Sequence, residues 1–129
     1  MITVDTHVVF WLALAPEELS PTAHTVIAQE RQRDGLAISC QTLWELSMLV
    51  TRKRIRMKTS LLDFLETVER HFTVLPVTSS IAVHAEQFSD QYPKDPSDRI
   101  IGATALVHGM RLVTKDARIH SSKEVNCVW

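Results

Sequence analysis

"ITVDTHVVFWLAL", residues 2–14, changes character without a turn: the run Ile2, Thr3, Val4 ends at Asp5, and an apolar stretch begins at Thr6 that Pro16 brings to a stop. β-Branched residues favour extended backbone and the second run has helical length, so a strand feeding directly into a helix is expected. "LAIS" (36–39) followed by "QTLWELSMLVTRKR" (41–54) repeats the arrangement. Between the two, Ser20 offers a helix cap, Pro21 a first helical residue and Gly35 a terminus, which predicts a helix over "PTAHTVIAQERQRD".

Downstream, Ser60 caps the amphipathic "LLDFLETVERHF", and "TVLPV" (73–77) is a third strand at or near a sheet edge, because Pro76 has no N–H to give a ladder. Thr78 or Ser79 opens "SIAVHAEQFSD", and a loop holds Tyr92 and Pro93. "SDRIIGATALVHG" is the most apolar helix and Gly109 closes it. "RLVTKD" supplies a fourth strand and "NCVW" a fifth. Strands alternating with helices, each strand too uniformly apolar for one wet face, predict an α/β fold: a central parallel sheet of four to five strands with helices on both sides. In such sheets ligands sit beyond the carboxyl ends of the strands.

A chain of 129 residues fits one domain, here 1–129, that removes roughly two thirds of its unfolded surface from water. Its formal charge of -1 excludes nucleic-acid binding through bulk basicity, so any such contact must be local. Cys40 and Cys127 belong to no CxxC pattern, which favours two reduced thiols over a disulfide framework or zinc ribbon. No run reaches the ~18 apolar residues of a membrane span, and no basic leader precedes the first strand. A cytoplasmic protein without membrane attachment is expected.

The strand ends give the acids a meaning that their spacing conceals. Asp5 ends the first strand, Asp116 follows the fourth two residues after Thr114, Glu45 lies in the first turns after the second, and Asp98 opens the helix before the fourth. Each has a plainer reading: Asp5 as a helix cap, Asp116 as a turn residue, and Asp95 with Asp98 as a capping box around Pro96. Glu45 resists one, since it sits among Leu43, Trp44, Leu46, Met48 and Leu49. On a helical wheel Ser97, Thr104, His108 and Arg111 form a polar stripe, whereas Asp98 projects with Gly102, Ala105 and Leu106 toward the sheet. Four inward carboxylates raise one another's pKa and call for a cation. An all-oxygen ligand set suits Mg²⁺ or Mn²⁺ and metal-assisted phosphodiester hydrolysis.

With these residues in place the sequence resembles PIN-domain ribonucleases, in particular the VapC toxins of toxin–antitoxin pairs. "VDTHVVFWL" is similar to the family's opening strand and its Asp, "TLWEL" to its helical Glu, "DPSDRIIGATAL" to its "DPxDRxxxAxA" signature, and "LVTKD" to its late Thr-x-Asp. The resemblance implies a three-layer α/β/α PIN-like fold, with Asp5, Glu45, Asp98 and Asp116 as metal-binding acids. Thr114 would orient a water or ligand, and Thr6 is a weaker candidate for that role. It further implies an endoribonuclease toxin using one or two Mg²⁺ or Mn²⁺ ions on RNA, a homodimer, and a cognate antitoxin whose tail blocks the active site. Lys94 departs from the family, since many relatives carry His there.

"TRKRIRMK" (51–58) is the one dense basic cluster; Arg52, Lys53, Arg54 and Arg56 are either a solvated helix end or a phosphate track beside the acidic pocket. Among the histidines only His7 lies near the proposed site, and Phe10, Trp11 and Trp44 fit core or partner interface better than base-stacking platforms. Three rival readings remain. A phosphoacceptor signalling domain lacks its paired acids after the first strand and any acid in "LPVTSS". A haloacid-dehalogenase-type phosphatase lacks a second Asp in "DTH". A catalytically silent PIN-like binding module would not need four retained acids.

Overall fold

The computed structural model describes residues 1–129. Five parallel strands, β1 (Ile2–Val4), β2 (Leu36–Ser39), β3 (Thr73–Leu75), β4 (Leu112–Val113) and β5 (Cys127–Val128), lie in the order β3-β2-β1-β4-β5. The chain winds outward from β1 in both directions, so the order reverses between β1 and β4. Helices α1 (Thr6–Leu14), α2 (Pro21–Gln32), α3 (Cys40–Arg52), α4 (Leu61–His71), α5 (Ser79–Gln87), α6 (Pro96–Val107) and α7 (Ala117–Ser122) connect them. β3 is an edge strand ending before Pro76, as a residue without a ladder donor requires. No helix is long and apolar enough to cross a membrane.

Local signals account for most boundaries. Ser20, Ser60 and Thr78 each accept a hydrogen bond from a first-turn N–H, and Pro21 and Pro96 occupy first helical positions. After α6, Gly109 takes φ 64°, letting its N–H reach Leu106 O at 3.1 Å and the N–H of Met110 reach Ala105 O at 2.9 Å. Arg54 makes the corresponding turn after α3 at φ 49°, without glycine's freedom. Helix α7 was not foreseen: six residues are too few to display a period, and Asp116 serves there as its cap.

Both faces of the sheet are dry. Ile2, Val4, Leu36, Ile38 and Val113 join the helix residues Val8, Leu46 and Phe64 in one core, while Leu112 joins Ile81, Ile101 and Ile119 in a second. This is the three-layer α/β/α arrangement expected from the uniformly apolar strands.

The wheel reading of α6 is corrected. Ser97 and Thr104 are buried, whereas Leu106 is 42% exposed. α6 packs against α5 on one side and against α3, β1 and β2 on others, so it has no broad wet face on which to place a polar stripe. The hydroxyls are satisfied inside instead: Ser97 Oγ accepts from Gln41 Nε2 at 2.9 Å, and Thr104 Oγ1 donates to Ile100 O at 2.7 Å.

Asp95 caps α6 by accepting from the N–H of Asp98 at 3.2 Å, but the Asp98 carboxylate makes no return bond. Half of a capping box is formed. Asp95→Ala is therefore expected to cost on the order of 1 kcal/mol, read by chemical denaturation.

Candidate active site

β1 and β4 diverge at the reversal of strand order, the place where open parallel sheets leave a crevice. Asp5 follows β1 and Asp116 follows β4 by three residues, while the first turn of α6 brings Asp98 over the gap. These three carboxylates line one cavity of about 400 Å³. His7, Trp11, Lys115 and Arg118 complete its wall. Glu45, in the second turn of α3, opens on an adjoining cavity of about 180 Å³ with Arg52 and Lys53, and His7 borders both. Three of the four expected acids thus line one cavity, and the fourth opens on the neighbouring one.

Two threonines hold the acids in place. Thr114 Oγ1 donates to Asp5 Oδ2 at 2.7 Å and accepts from the N–H of Asp116 at 3.1 Å, so one buried hydroxyl orients a carboxylate and the loop carrying another. Thr6 Oγ1 donates to Glu45 Oε1 at 2.7 Å and lies 3.1 Å from the Thr42 hydroxyl, while the Thr6 N–H donates to Asp5 Oδ1 at 2.7 Å. Thr6 thereby links Asp5 to Glu45, a larger part than the sequence reading gave it. Within the chain, the Thr114 hydroxyl serves Asp5 and the loop of Asp116. Thr114→Val keeps the shape and removes the donor; a 10- to 100-fold loss of divalent-ion affinity is expected, on the order of other residues that hold ligands, checked by calorimetric titration with Mn²⁺.

Asp98 has no hydrogen-bond donor, and burial together with Asp5, Asp95, Glu45 and Asp116 pushes its carboxyl up to about 7. Burial also raises Asp5, opposed by Thr114 and Thr6, and raises Glu45, opposed by Thr6. Every shift favours the neutral form, as expected of crowded acids without a cation. Asp116 spends Oδ1 on α7, accepting from the N–H of Arg118 at 2.8 Å and of Ile119 at 3.4 Å. Its plainer reading as a local structural residue holds for that oxygen, and Oδ2 is free.

In this structure no three Asp, Glu, His or Cys side chains converge tightly enough to grip an ion together. The donor set nevertheless suits a hard divalent cation: carboxylate oxygens of Asp5, Asp98 and Asp116, with the single imidazole of His7 on the wall and neither cysteine thiolate nor paired imidazole.

Two supporting residues escaped the sequence reading. Arg99 donates to the carbonyls of Pro93 (3.1 Å), Ala85 (3.1 Å), Phe88 (3.3 Å) and Ser89 (3.4 Å), tying the end of α5 to the loop that launches α6. A lone cation inside an apolar helix was the available signal. Tyr92, assigned to a loop, is fully buried and donates from Oη to Asp98 O at 2.9 Å. Neither Trp11 nor Trp44 is simply core: Trp11 packs on the first core with one part and lines the acidic cavity with another, and Trp44 is 58% exposed. Arg52, Lys53, Arg54 and Arg56 are all exposed, with only the first two at the Glu45 cavity.

The PIN-domain sequence pattern matches residues 2–124. The chain belongs to the PIN-domain family. It is 35% identical over 122 residues to Ribonuclease VapC22 of Mycobacterium tuberculosis, a match spanning 95% of this chain and 92% of that protein. Among solved structures the PIN fold here is similar to VapBC2 from Rickettsia felis bound to a promoter DNA fragment (TM-score 0.77, 13% identity, 99% of this chain and 98% of that one). It is also similar to a toxin–antitoxin complex from Klebsiella pneumoniae (TM-score 0.69, 18% identity, 100% and 97%). At such identities the solved structures speak for the fold. The family expectation drawn from "VDTHVVFWL", "TLWEL", "DPSDRIIGATAL" and "LVTKD" is met.

Proposed function

We propose that this chain is a Mg²⁺- or Mn²⁺-dependent endoribonuclease, acting as one PIN domain over residues 1–129 and as the toxin of a type II toxin–antitoxin pair. The observation that carries the reading is that Asp5, Asp98 and Asp116 line one cavity at the reversal of strand order, with Glu45 one threonine away. The similarity to a ribonuclease over 95% of the chain supports RNA as the substrate.

Asp5, Asp98, Asp116 and Glu45 would hold the cation. When bound, the ion supplies a Lewis acid that lowers the pKa of a water and offsets phosphate charge. The remaining work belongs to the chain. Thr114 and Thr6 fix the rotamers of Asp5 and Glu45, the Tyr92 and Arg99 hydrogen bonds fix the first turn of α6, and proton loss from Asp98 readies the site. Arg52, Lys53, Arg54 and Arg56 extend a basic track from the Glu45 side toward the RNA backbone. A cognate antitoxin that blocks this site, a homodimer and a cytoplasmic setting complete the proposal.

Incubation with single-stranded and structured RNA, with Mg²⁺ or Mn²⁺ and then with EDTA, tests it. Cleavage that disappears in EDTA is the expected result; cleavage that survives EDTA overturns the metal-dependent reading. Silence toward every RNA, with RNA still bound, would favour the binding module. Label taken from acetyl phosphate onto an aspartate would favour the signalling domain, although β3 runs into "PVTSS" without an acceptor acid.

A further inference from the structure

The cavity that gathers Asp5, Asp98 and Asp116 has a second chemistry on its wall. His7 and Trp11 stand one turn apart on α1, with ring centroids 5.9 Å apart and planes tilted by 50°. Trp129 backs Trp11 at 5.8 Å, and Lys115 Nζ lies 5.6 Å from the centre of the Trp11 ring. Arg118 reaches in from α7, its exposed guanidinium Nε 3.9 Å from Oδ1 of the half-buried Asp116, a loose pairing that a stronger anion can displace. Trp11 is the one hydrophobic residue lining the space. An indole set among charged groups and packed against Trp129, with an exposed Lys115 whose side chain can swing off the ring toward a phosphate, suits a ligand that is flat and aromatic in one part and anionic in another.

We infer that Trp11, with His7 beside it, is a stacking platform for a nucleobase of single-stranded RNA adjoining the cleaved phosphodiester, and that Lys115 and Arg118 contact the flanking phosphates. The inference rests on the endoribonuclease reading and assigns its substrate-positioning residues. A cavity of about 400 Å³ falls within the ~300–1,000 Å³ of small-ligand clefts and so admits one nucleotide unit. A base must leave its helical stack to lie on an indole, which is why the strand must be single. Lys115 and Asp116 are adjacent in sequence, so the cation that meets phosphate and the carboxylate that meets metal are carried by one loop. Because all bases present a π face, this platform gives affinity and register rather than strict sequence choice.

The test uses binding, not turnover. A fluorescein-labelled single-stranded RNA hexamer is titrated by anisotropy, in Mg²⁺, against Asp98→Asn protein that also carries Trp11→Leu, Trp11→Phe, Lys115→Ala or Arg118→Ala. Trp11→Leu is expected to weaken binding roughly 5- to 150-fold, and Trp11→Phe to restore most of it. Lys115→Ala and Arg118→Ala should each weaken binding and lower the slope of log affinity against log salt by about 0.7. A fully paired duplex of the same sequence should be indifferent to Trp11→Leu. Unchanged hexamer binding in Trp11→Leu overturns the platform, as does an equal loss on the duplex. Since Trp11 also packs on the core, circular dichroism accompanies it; should Trp11→Leu fail to fold, the exposed Lys115→Ala and Arg118→Ala decide, and unchanged affinity and salt slope in both overturn the inference. Metal-dependent cleavage by the wild-type protein would stand through any of these failures, which keeps this inference separable from the reading beneath it.

Discussion

Asp98→Asn is expected to abolish RNA cleavage and, in the absence of divalent metal, to raise the melting temperature at pH 8. Asp98 has no donor of its own, faces three other carboxylates and the helix-capping Asp95, and is held near 7 where an unfolded aspartate titrates near 3.8. Between those values the folded protein binds more protons than the unfolded chain. Stability therefore falls as pH rises from about 4 to about 7, and beyond that the full penalty of the ionised group is present. Asparagine keeps the shape and removes the charge. After discounting for the solvent that reaches this half-buried carboxyl, the gain at pH 8 is on the order of 1–2 kcal/mol, a few degrees for a chain of this size. At pH 4 wild type and variant should melt together. Cleavage should fall at least ~100-fold if Asp98 holds the cation as proposed, because the site then loses one of its few carboxylates. Differential scanning calorimetry at the two pH values, with EDTA, gives the first result and an RNA cleavage assay the second. A variant less stable than wild type at pH 8 would remove the electrostatic account, and retained cleavage would remove Asp98 from the site.

The largest loss of stability is expected from Gly102→Ala. In a helix interior alanine is ordinarily favoured over glycine by up to ~1 kcal/mol, but here an added Cβ would lie 2.0 Å from Tyr92 Oη and 2.7 Å from its Cζ. Tyr92 has nowhere to go: its ring stacks on Phe88 with centroids 4.0 Å apart, and its hydroxyl is bonded to Asp98 O. Overpacking and the broken buried hydrogen bond together cost about 3–5 kcal/mol, a large share of the ~5–15 kcal/mol that holds a domain folded. Urea denaturation would measure it. Adding Tyr92→Leu should recover part of the loss by vacating the space, whereas a Gly102→Ala protein as stable as wild type would show that the Tyr92 packing is not tight. Because Tyr92 grips the first turn of α6, a surviving Gly102→Ala protein should also cleave RNA poorly.

What was legible in the sequence is what is encoded locally. Ser20 with Pro21, Ser60, Thr78 and Asp95 with Pro96 mark helix starts because a cap side chain bonds an N–H within its own first turn. Pro76 marks an edge because it lacks a donor, and uniformly apolar short strands between helices require a sheet covered on both sides. Those facts place Asp5 and Asp116 just beyond strand ends, and with them an acidic rim to the sheet. The burial of Ser97 and Thr104, the division that sets Glu45 in its own cavity, the bracing by Arg99 and Tyr92, and the indole of Trp11 on the cavity wall were settled only by the tertiary structure. Each depends on which distant element packs where: α6 between α5 and α3, the loop of Tyr92 against Gly102, α1 beside the end of β4. Helical periodicity assumes one wet face and cannot register a helix surrounded by others, and no spacing along the chain reports that two carboxylates a hundred residues apart share a cavity.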